Sequence, residues 1–316
     1  MNSCSLYVVH GQVLWAWLIQ KPTRWKAGDP LSETSNYSVM VPTKNEEVNL
    51  PFALASAAGN AREVFVLDSG STDNTEKIAR DGGARFVFQP WLGYARQKNW
   101  GLDNLPIKTP WVFILDADEV ITQQLAAELS SIADADKCAE NGFYVNRFFI
   151  FLGQRIRHCG YYPSWNLRFF RRGKARYEER DVHEHMVVDG KVGYLRGEME
   201  HNDRRGMEFY IAKHNHYSTL EARELFRIEQ GTADGTMTFH FFGGPIERRR
   251  WIKHKIWPRL PARWLARFGY MYLFRLGILD GVTGFHFCMF LASYEHQITL
   301  KLIELRRAAE AKRISR

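Results

Sequence analysis

The first 120 residues predict an α/β fold built on a doubly wound, mainly parallel sheet. Two observations carry that prediction. Short apolar runs alternate with stretches at helical spacing, and the separations suit ordinary crossovers. A chain of 316 residues, 45% hydrophobic and 25% charged, has the size and composition to bury a full core.

Residues 1–36 read as an N-terminal extension ending in the loop-like Lys26-Ala27-Gly28-Asp29-Pro30. Within it Leu6 to Ile19 is apolar, but His10, Gly11 and Gln12 interrupt the run and no basic residue precedes it. It is not read as a secretory signal. Ser38 to Val41 is the first strand, stopped by Pro42. Asn45 is suited to cap a helix from Glu46, with Leu50, Ala53, Leu54 and Ala57 on one face. Glu63 to Leu67 is the second strand, followed by the turn Asp68-Ser69-Gly70-Ser71 and a helix from Thr72 to Arg80 that Gly82-Gly83 closes. Arg85 to Phe88 is the third strand, Tyr94 to Asp103 a helix, and Trp111 to Leu115 the fourth strand. After Glu119 the alternation decays. Leu125 to Asp134 is helical, Phe143 to Phe151 extended and aromatic, and Tyr161 to Phe170 strand and turn. A helical pattern returns from Glu208 to Gln230 and persists in pieces to the end.

Ligands of such sheets bind beyond the carboxyl ends of the strands. Three polar clusters fall there: Pro42-Thr43-Lys44-Asn45-Glu46, Asp68 to Asp73, and Asp116-Ala117-Asp118-Glu119. Two carboxylates one residue apart after a buried strand suit a divalent ion, Mg²⁺ or Mn²⁺, held against phosphate oxygens. No glycine-rich phosphate loop follows the first strand, which counts against a P-loop nucleotidase and a dinucleotide dehydrogenase of the usual kind. The acidic rim suits a nucleoside diphosphate that carries a leaving group. Asp68 or Glu46 would accept hydrogen bonds from ribose or base, and Lys98 is the cation available to the diphosphate. Cys4, Cys138, Cys159 and Cys288 show no Cys-x-x-Cys spacing and read as free thiols of a reducing compartment.

In order, Val41-Pro42-Thr43-Lys44-Asn45-Glu46-Glu47, Val66 to Asp73, Gln97-Lys98-Asn99 and Leu115 to Glu119 resemble the signature of family-2 inverting glycosyltransferases of GT-A fold. Phe151-Leu152-Gly153, Gly160 to Pro163, Leu167 to Phe170 and Val182-His183-Glu184 extend the resemblance. They look like the bacterial branch that adds glucose to the lipopolysaccharide core, and like exopolysaccharide enzymes. The resemblance implies a catalytic domain over residues 37–225, with a nucleotide-sugar half (37–119) and an acceptor half (120–225), and then a helical region, 226–316. It implies a UDP-sugar donor, probed by Pro42, Thr43, Glu46, Asp68, Lys98 and Asp116, and a metal pair, Asp116 and Asp118, with Asp118 the more direct ligand. Lys44 departs from the family pattern, which often has an aromatic or small polar residue there.

Inversion needs a base that takes the proton of the acceptor hydroxyl. Glu184 is the first choice and Asp181 the second. His183 and His185 are suited to acceptor contacts, and His201 to completing the metal shell. The acceptor implied is a saccharide on a lipid: lipopolysaccharide core, an undecaprenyl-linked glycan and an exopolysaccharide precursor all fit. A sugar-phosphate nucleotidyltransferase and a non-catalytic saccharide- or membrane-binding protein are the competing readings.

The net charge of +8 is concentrated in one place. Between Pro245 and Arg275 stand nine Lys/Arg against a single acid, Glu247, and Trp251, Trp257, Trp264, Phe268, Tyr270 and Tyr272 interleave with them. Residues 245–300 therefore read as an anionic-membrane contact made by several short interfacial helices. Nucleic acid is the disfavoured partner, because Tyr270 to Leu279 and Phe285 to Ala292 are densely apolar; packing of these aromatics as core is the third reading. No run is long enough to span a bilayer. The expected location is cytoplasmic, peripheral on the inner face of the cytoplasmic membrane.

Overall fold

The computed structural model describes residues 8–9, 12–13, 35–178, 185–231, 257, 260 and 262–314. A two-residue hairpin pairs Val8–Val9 (β1) with Gln12–Val13 (β2). The main sheet begins with Tyr37–Thr43 (β3), which pairs in parallel with Glu63–Asp68 (β4), and β4 in turn with Arg85–Phe88 (β5). On its other side β3 pairs in parallel with Trp111–Ile114 (β6). All of β4 and β6 is buried, and along each strand alternate residues enter two different cores. Val39, Val41, Val64, Val66, Trp111 and Phe113 face Leu50–Ala57 (α1), Thr75–Asp81 (α2) and Gln123–Ala135 (α4). Met40, Phe65, Leu67, Val112 and Ile114 face Tyr94–Asn104 (α3). Both faces are covered, as a doubly wound sheet requires. α3 lies close because Gly101 has no Cβ; one there would sit 2.5 Å from Met40 Sδ and 2.8 Å from Leu67 Cδ2.

Beyond β6 the chain adds Glu119–Ile121 (β7), Glu140–Phe151 (β8), Gln154–Ile156 (β9), Ser164–Arg171 (β10), Ala175–Tyr177 (β11), Met186–Val188 (β12) and Lys191–His201 (β13). The sheet order is β5-β4-β3-β6-β10-β8-β13-β7, with β9 paired to β8. β10 runs antiparallel between β6 and β8, whereas β8 and β13 are parallel. The parallel strands and the mixed strands that follow them thus share one sheet.

Several boundaries differ from expectation. β3 passes through Pro42 to Thr43, because its pairing with β6 ends at Met40 and no ladder partner on that side needs the absent N–H. α2 begins at Thr75, three residues after Thr72, since Asp73 spends its side chain on the Thr75 N–H and hydroxyl. The largest difference is at the end. Gly206–Glu229 (α5) is one helix, and Gly281–Ile314 (α7) is an unbroken helix of 34 residues where separate pieces were expected. Phe287, Leu291, Tyr294, Ile298 and Leu302 form its buried stripe, recurring at three- and four-residue steps. Between them come Arg263–Gly269 (α6), a π turn at Tyr270–Phe274 and a 3-10 turn at Gly277–Asp280. Residues 245–256 of the expected interfacial segment lie outside the described residues.

Candidate active site

Three loops meet at the carboxyl ends of β3, β4 and β6. The first two are stitched together. Asn45 is in the left-handed region (φ 53), so its side chain accepts from the Thr72 N–H at 2.8 Å while its own N–H donates to Ser71 Oγ at 2.7 Å. The Glu46 N–H donates to Thr75 Oγ1 at 2.8 Å and the Glu47 N–H to Asp73 Oδ2 at 3.1 Å. Asn45 is therefore a loop clamp and not the helix cap its position suggested; α1 starts at Leu50, after a turn. Asp68 is 2% exposed. Its Oδ1 accepts from Thr43 Oγ1 (2.9 Å) and Ser71 Oγ (2.5 Å), and its Oδ2 from the Gly70 and Ser71 N–H groups, both at 2.8 Å. Its acceptor positions are filled by the loop, so it shapes the pocket where a direct contact with ribose or base was expected. Lys44 also turns inward, onto the Ser69 and Gly70 carbonyls. Thr43 is buried and Pro42 half-buried beside it.

In the third loop Asp116 Oδ2 accepts from Arg168 Nη2 at 2.6 Å, and Lys98 Nζ stands 3.4 Å from Oδ1. Lys98 also lies over the Tyr177 ring, 5.1 Å from its centroid. Behind them Glu119 has no exposed surface. It accepts from Arg168 Nη2 (2.9 Å), Arg147 Nη1 (3.3 Å) and the Asp116 N–H (3.0 Å). A register shift between Leu167 and Phe169, at Arg168, interrupts the β10–β8 ladder within the strand's apolar Leu167 to Phe170 stretch. Burial works to raise the Asp116 and Glu119 carboxyls, but the Arg168 charge, with Lys98 at Asp116, outweighs it and holds both below the usual range.

Asp118 differs from Asp116. It is nearly buried, with Oδ1 3.7 Å from His201 Nδ1 and Oδ2 3.7 Å from Lys213 Nζ. His201 Nδ1 is buried without a hydrogen-bond partner, and its ring stacks on Phe149 at 5.2 Å. An unpartnered imidazole nitrogen beside a carboxylate fits a divalent ion whose other positions are taken by phosphate oxygens and water. Among the described residues no group of three or more His, Cys, Asp or Glu side chains could hold an ion alone. The two aspartates thus stand differently: Arg168 and Lys98 face Asp116, whereas Asp118 stands between His201 and one more distant cation, Lys213.

The segment after β13 closes the cleft on the far side. Arg205 grips Asp203 through Nε (2.8 Å) and Nη2 (2.7 Å) and reaches Glu46 Oε1 through Nη1 at 2.9 Å. Asn49 donates to Glu46 Oε2 (2.9 Å) and Asp203 Oδ1 (3.1 Å) and accepts from the Arg204 N–H (2.8 Å). Burial pushes the Glu46 carboxyl up to about 7 against the Arg205 charge. Sequence reasoning missed Asp203 and Arg205, and gave no individual role to Glu119 or Arg168 although both lie in the motifs it singled out. The one signal available was a charged residue inside the apolar Leu167-Arg168-Phe169-Phe170 strand.

Asp181, His183 and Glu184 lie outside the described residues. The residues flanking that segment are joined: the Glu178 N–H donates to the His185 carbonyl at 2.9 Å, and Tyr177 pairs with Met186 across β11–β12. His185 itself is exposed. Asn99 on α3 fixes the Tyr177 backbone through two hydrogen bonds of 2.9 Å, one residue from Lys98.

The Glycosyl transferase family 2 model matches residues 38–197, and the chain belongs to that family: it is a glycosyltransferase with a GT-A-like sheet. Over 195 residues it is 36% identical to the lipopolysaccharide core biosynthesis glycosyltransferase LpsC of Rhizobium meliloti, covering 59% of this chain and 70% of that one. Among solved structures, S. aureus TarS 1-349 aligns at 14% identity and a TM-score of 0.40, covering 86% of this chain and 91% of TarS. Glucosyl-3-phosphoglycerate synthase from Mycobacterium tuberculosis, solved with Mn²⁺, uridine diphosphate and glucosyl-3-phosphoglycerate, aligns at 18% and 0.38, covering 60% and 80%. Family membership speaks against the nucleotidyltransferase reading.

Proposed function

We propose that the protein is an inverting, metal-dependent glycosyltransferase that moves a hexose from a UDP-sugar to a lipid-linked saccharide in bacterial lipopolysaccharide or exopolysaccharide synthesis. It would work at the inner face of the cytoplasmic membrane, held to anionic lipid through residues 245–300. The observation that supports the reading most is the Asp118–His201 pair at the carboxyl ends of the sheet, with its unpartnered ring nitrogen. In this reading Asp118 and His201 hold a Mg²⁺ or Mn²⁺ ion, which when bound neutralises charge on the departing diphosphate. Lys98 and Asp116 flank the diphosphate, and Pro42, Thr43 and Glu46 border the nucleoside in the pocket that Asp68 shapes. Glu184 or Asp181 takes the acceptor proton, with His183 and His185 as acceptor contacts. The residues on either side of 179–184 are joined and anchored to α3 beside Lys98, in keeping with that assignment. The division of labour is 37–119 for donor, 120–225 for acceptor and 226–316 for the membrane.

The test is release of nucleoside diphosphate from a panel of UDP-sugars with Mn²⁺ or Mg²⁺. Asp118→Ala should abolish release while the fold stays intact by circular dichroism. Glu184→Gln should retain donor binding and lose about 100-fold in transfer. Release of pyrophosphate, or full turnover by Asp118→Ala, overturns the reading.

A further inference from the structure

The turn between α6 and α7 leaves a set of large apolar side chains uncovered. Phe274 is 80% exposed, Val282 73% and Leu279 64%, and Leu273, Leu276 and Ile278 are about half exposed. Scattered single apolar residues on a surface mean little, but this many within ten positions form a patch that water disfavours. The corner is not a frayed end. Asp280 fastens it to the loop after β9, accepting from the Arg157 N–H (3.2 Å) and the His158 N–H (2.8 Å), and the Cys159 N–H donates to the Arg275 carbonyl at 3.0 Å. Gly284 and Gly277 touch so closely that a Cβ on Gly284 would lie 2.2 Å from the Gly277 carbonyl oxygen. The apolar side chains are thus held outward on a rigid support.

Three features select a bilayer as the occupant. Among the described residues no single helix is long and apolar enough to cross a membrane, yet Arg263–Phe274 and Gly277–Ile314 together reach that hydropathy across a bend of 74°. Arg157, Arg275 and His286 are exposed around the apolar tip, where headgroup phosphates would meet them. Behind the tip Phe268, Tyr272 and Phe285 form an aromatic layer with centroids 5.2 to 5.8 Å apart, and its tyrosine is of the kind that favours the interface.

We infer that residues 270–282 form a re-entrant wedge whose apolar tip enters the lipid below the headgroups and sets the acceptor side of the cleft against the membrane. The link to the cleft is continuous. Tyr161, in the loop fastened to the corner, packs on Phe287 of α7 at 4.8 Å; Phe287 packs on Phe149 at 5.4 Å; and Phe149 stacks on His201. Phe287 is fully buried, so this run is a packed support that fixes the corner relative to the cleft, and an acceptor whose lipid stays in the bilayer would present its saccharide beside it. The inference deepens the membrane-bound reading proposed above and rests on it.

The experiment uses the full chain with vesicles of phosphatidylethanolamine and phosphatidylglycerol. Phe274→Asp combined with Leu279→Asp should lower the vesicle-bound fraction by about tenfold or more, leaving the thermal midpoint and donor hydrolysis in the absence of vesicles unchanged. An environment-sensitive fluorophore on Phe274→Cys should shift to the blue on vesicle addition, and one on Lys77→Cys should not. Two results overturn the wedge: wild-type flotation by the double variant, or a wild-type dimer that the double variant converts to monomer, which would make a second copy the occupant. Absence of donor hydrolysis in both proteins would instead sink the enzymatic reading and leave the vesicle result standing.

Discussion

Arg168 shows how much one buried charge can organise. Its guanidinium binds Asp116 and Glu119 together, and Glu119 in turn holds the Asp116 N–H, so this one group ties the loop after β6 together. Replacing it by Met leaves Glu119 enclosed, with Arg147 at 3.3 Å and the His201 ring at 4.0 Å as its remaining basic neighbours among the described residues. Loss of one member of a buried ion pair costs about 3–5 kcal/mol, so Arg168→Met should lower unfolding stability in urea by about 3 kcal/mol. Adding Glu119→Gln should restore part of that loss; a purely additive double variant would show that the two groups do not depend on each other. Glu46 makes a prediction of opposite kind. Its carboxyl, near 7 in the folded chain against an ordinary 4.5, binds its proton more tightly folded than unfolded. The associated stability is fully present below about pH 4.5 and is lost as pH rises through about 7. Wild type should therefore lose thermal stability relative to Glu46→Gln between about pH 5 and pH 8, and parallel melting curves across that range would refute the shift.

Among elements, those of the parallel half are the most legible in sequence. Val39, Val41, Val64 and Val66 alternate with Met40, Phe65 and Leu67 in strands buried on both faces, and β5 and α3 follow the predicted spans almost to the residue. The polar loops are less legible, because Asn45 and Asp73 have the chemistry of helix caps and use it across loops instead. α7 escapes for another reason. Its buried stripe includes Thr283, Gly284 and Glu295, residues that break an apolar periodicity unless their partners are known. Glu295 is paired there with Arg263 at 2.9 Å and Arg267 at 2.8 Å. The contact of α7 with its own preceding turn is testable. Gly284→Val would force the Gly277 carbonyl away and loosen the corner. Hydrogen exchange at the Cys159 amide should rise by about tenfold or more, as local opening becomes easier. Unchanged protection would show that the glycine contact carries no tension.

For the molecule as a whole, the convergence of residues 43–46, 68 and 116–118 at one rim follows from alternating strands and helices, and the sequence suffices to place it. The opposite wall is not legible that way. Asp203, Arg205 and Lys213 come from the turn after β13 and from α5, and reach Glu46 and Asp118 only through a mixed half whose strand order has no period to announce it. Glu46, Asn49, Asp203 and Arg205 lace the two walls together, so the cleft is a single polar network joining residues about 150 positions apart.

The insertion of β10 between β6 and β8 has a consequence for synthesis. Trp111–Ile114 gains its second neighbour only when Ser164–Arg171 has been made, about fifty residues later. Until then a nascent chain carries an open, wholly apolar strand edge, the kind of surface that seeds aggregation. Slow translation between these two strands, or truncation within the interval, should leave a protein that depends on chaperones to reach its native state.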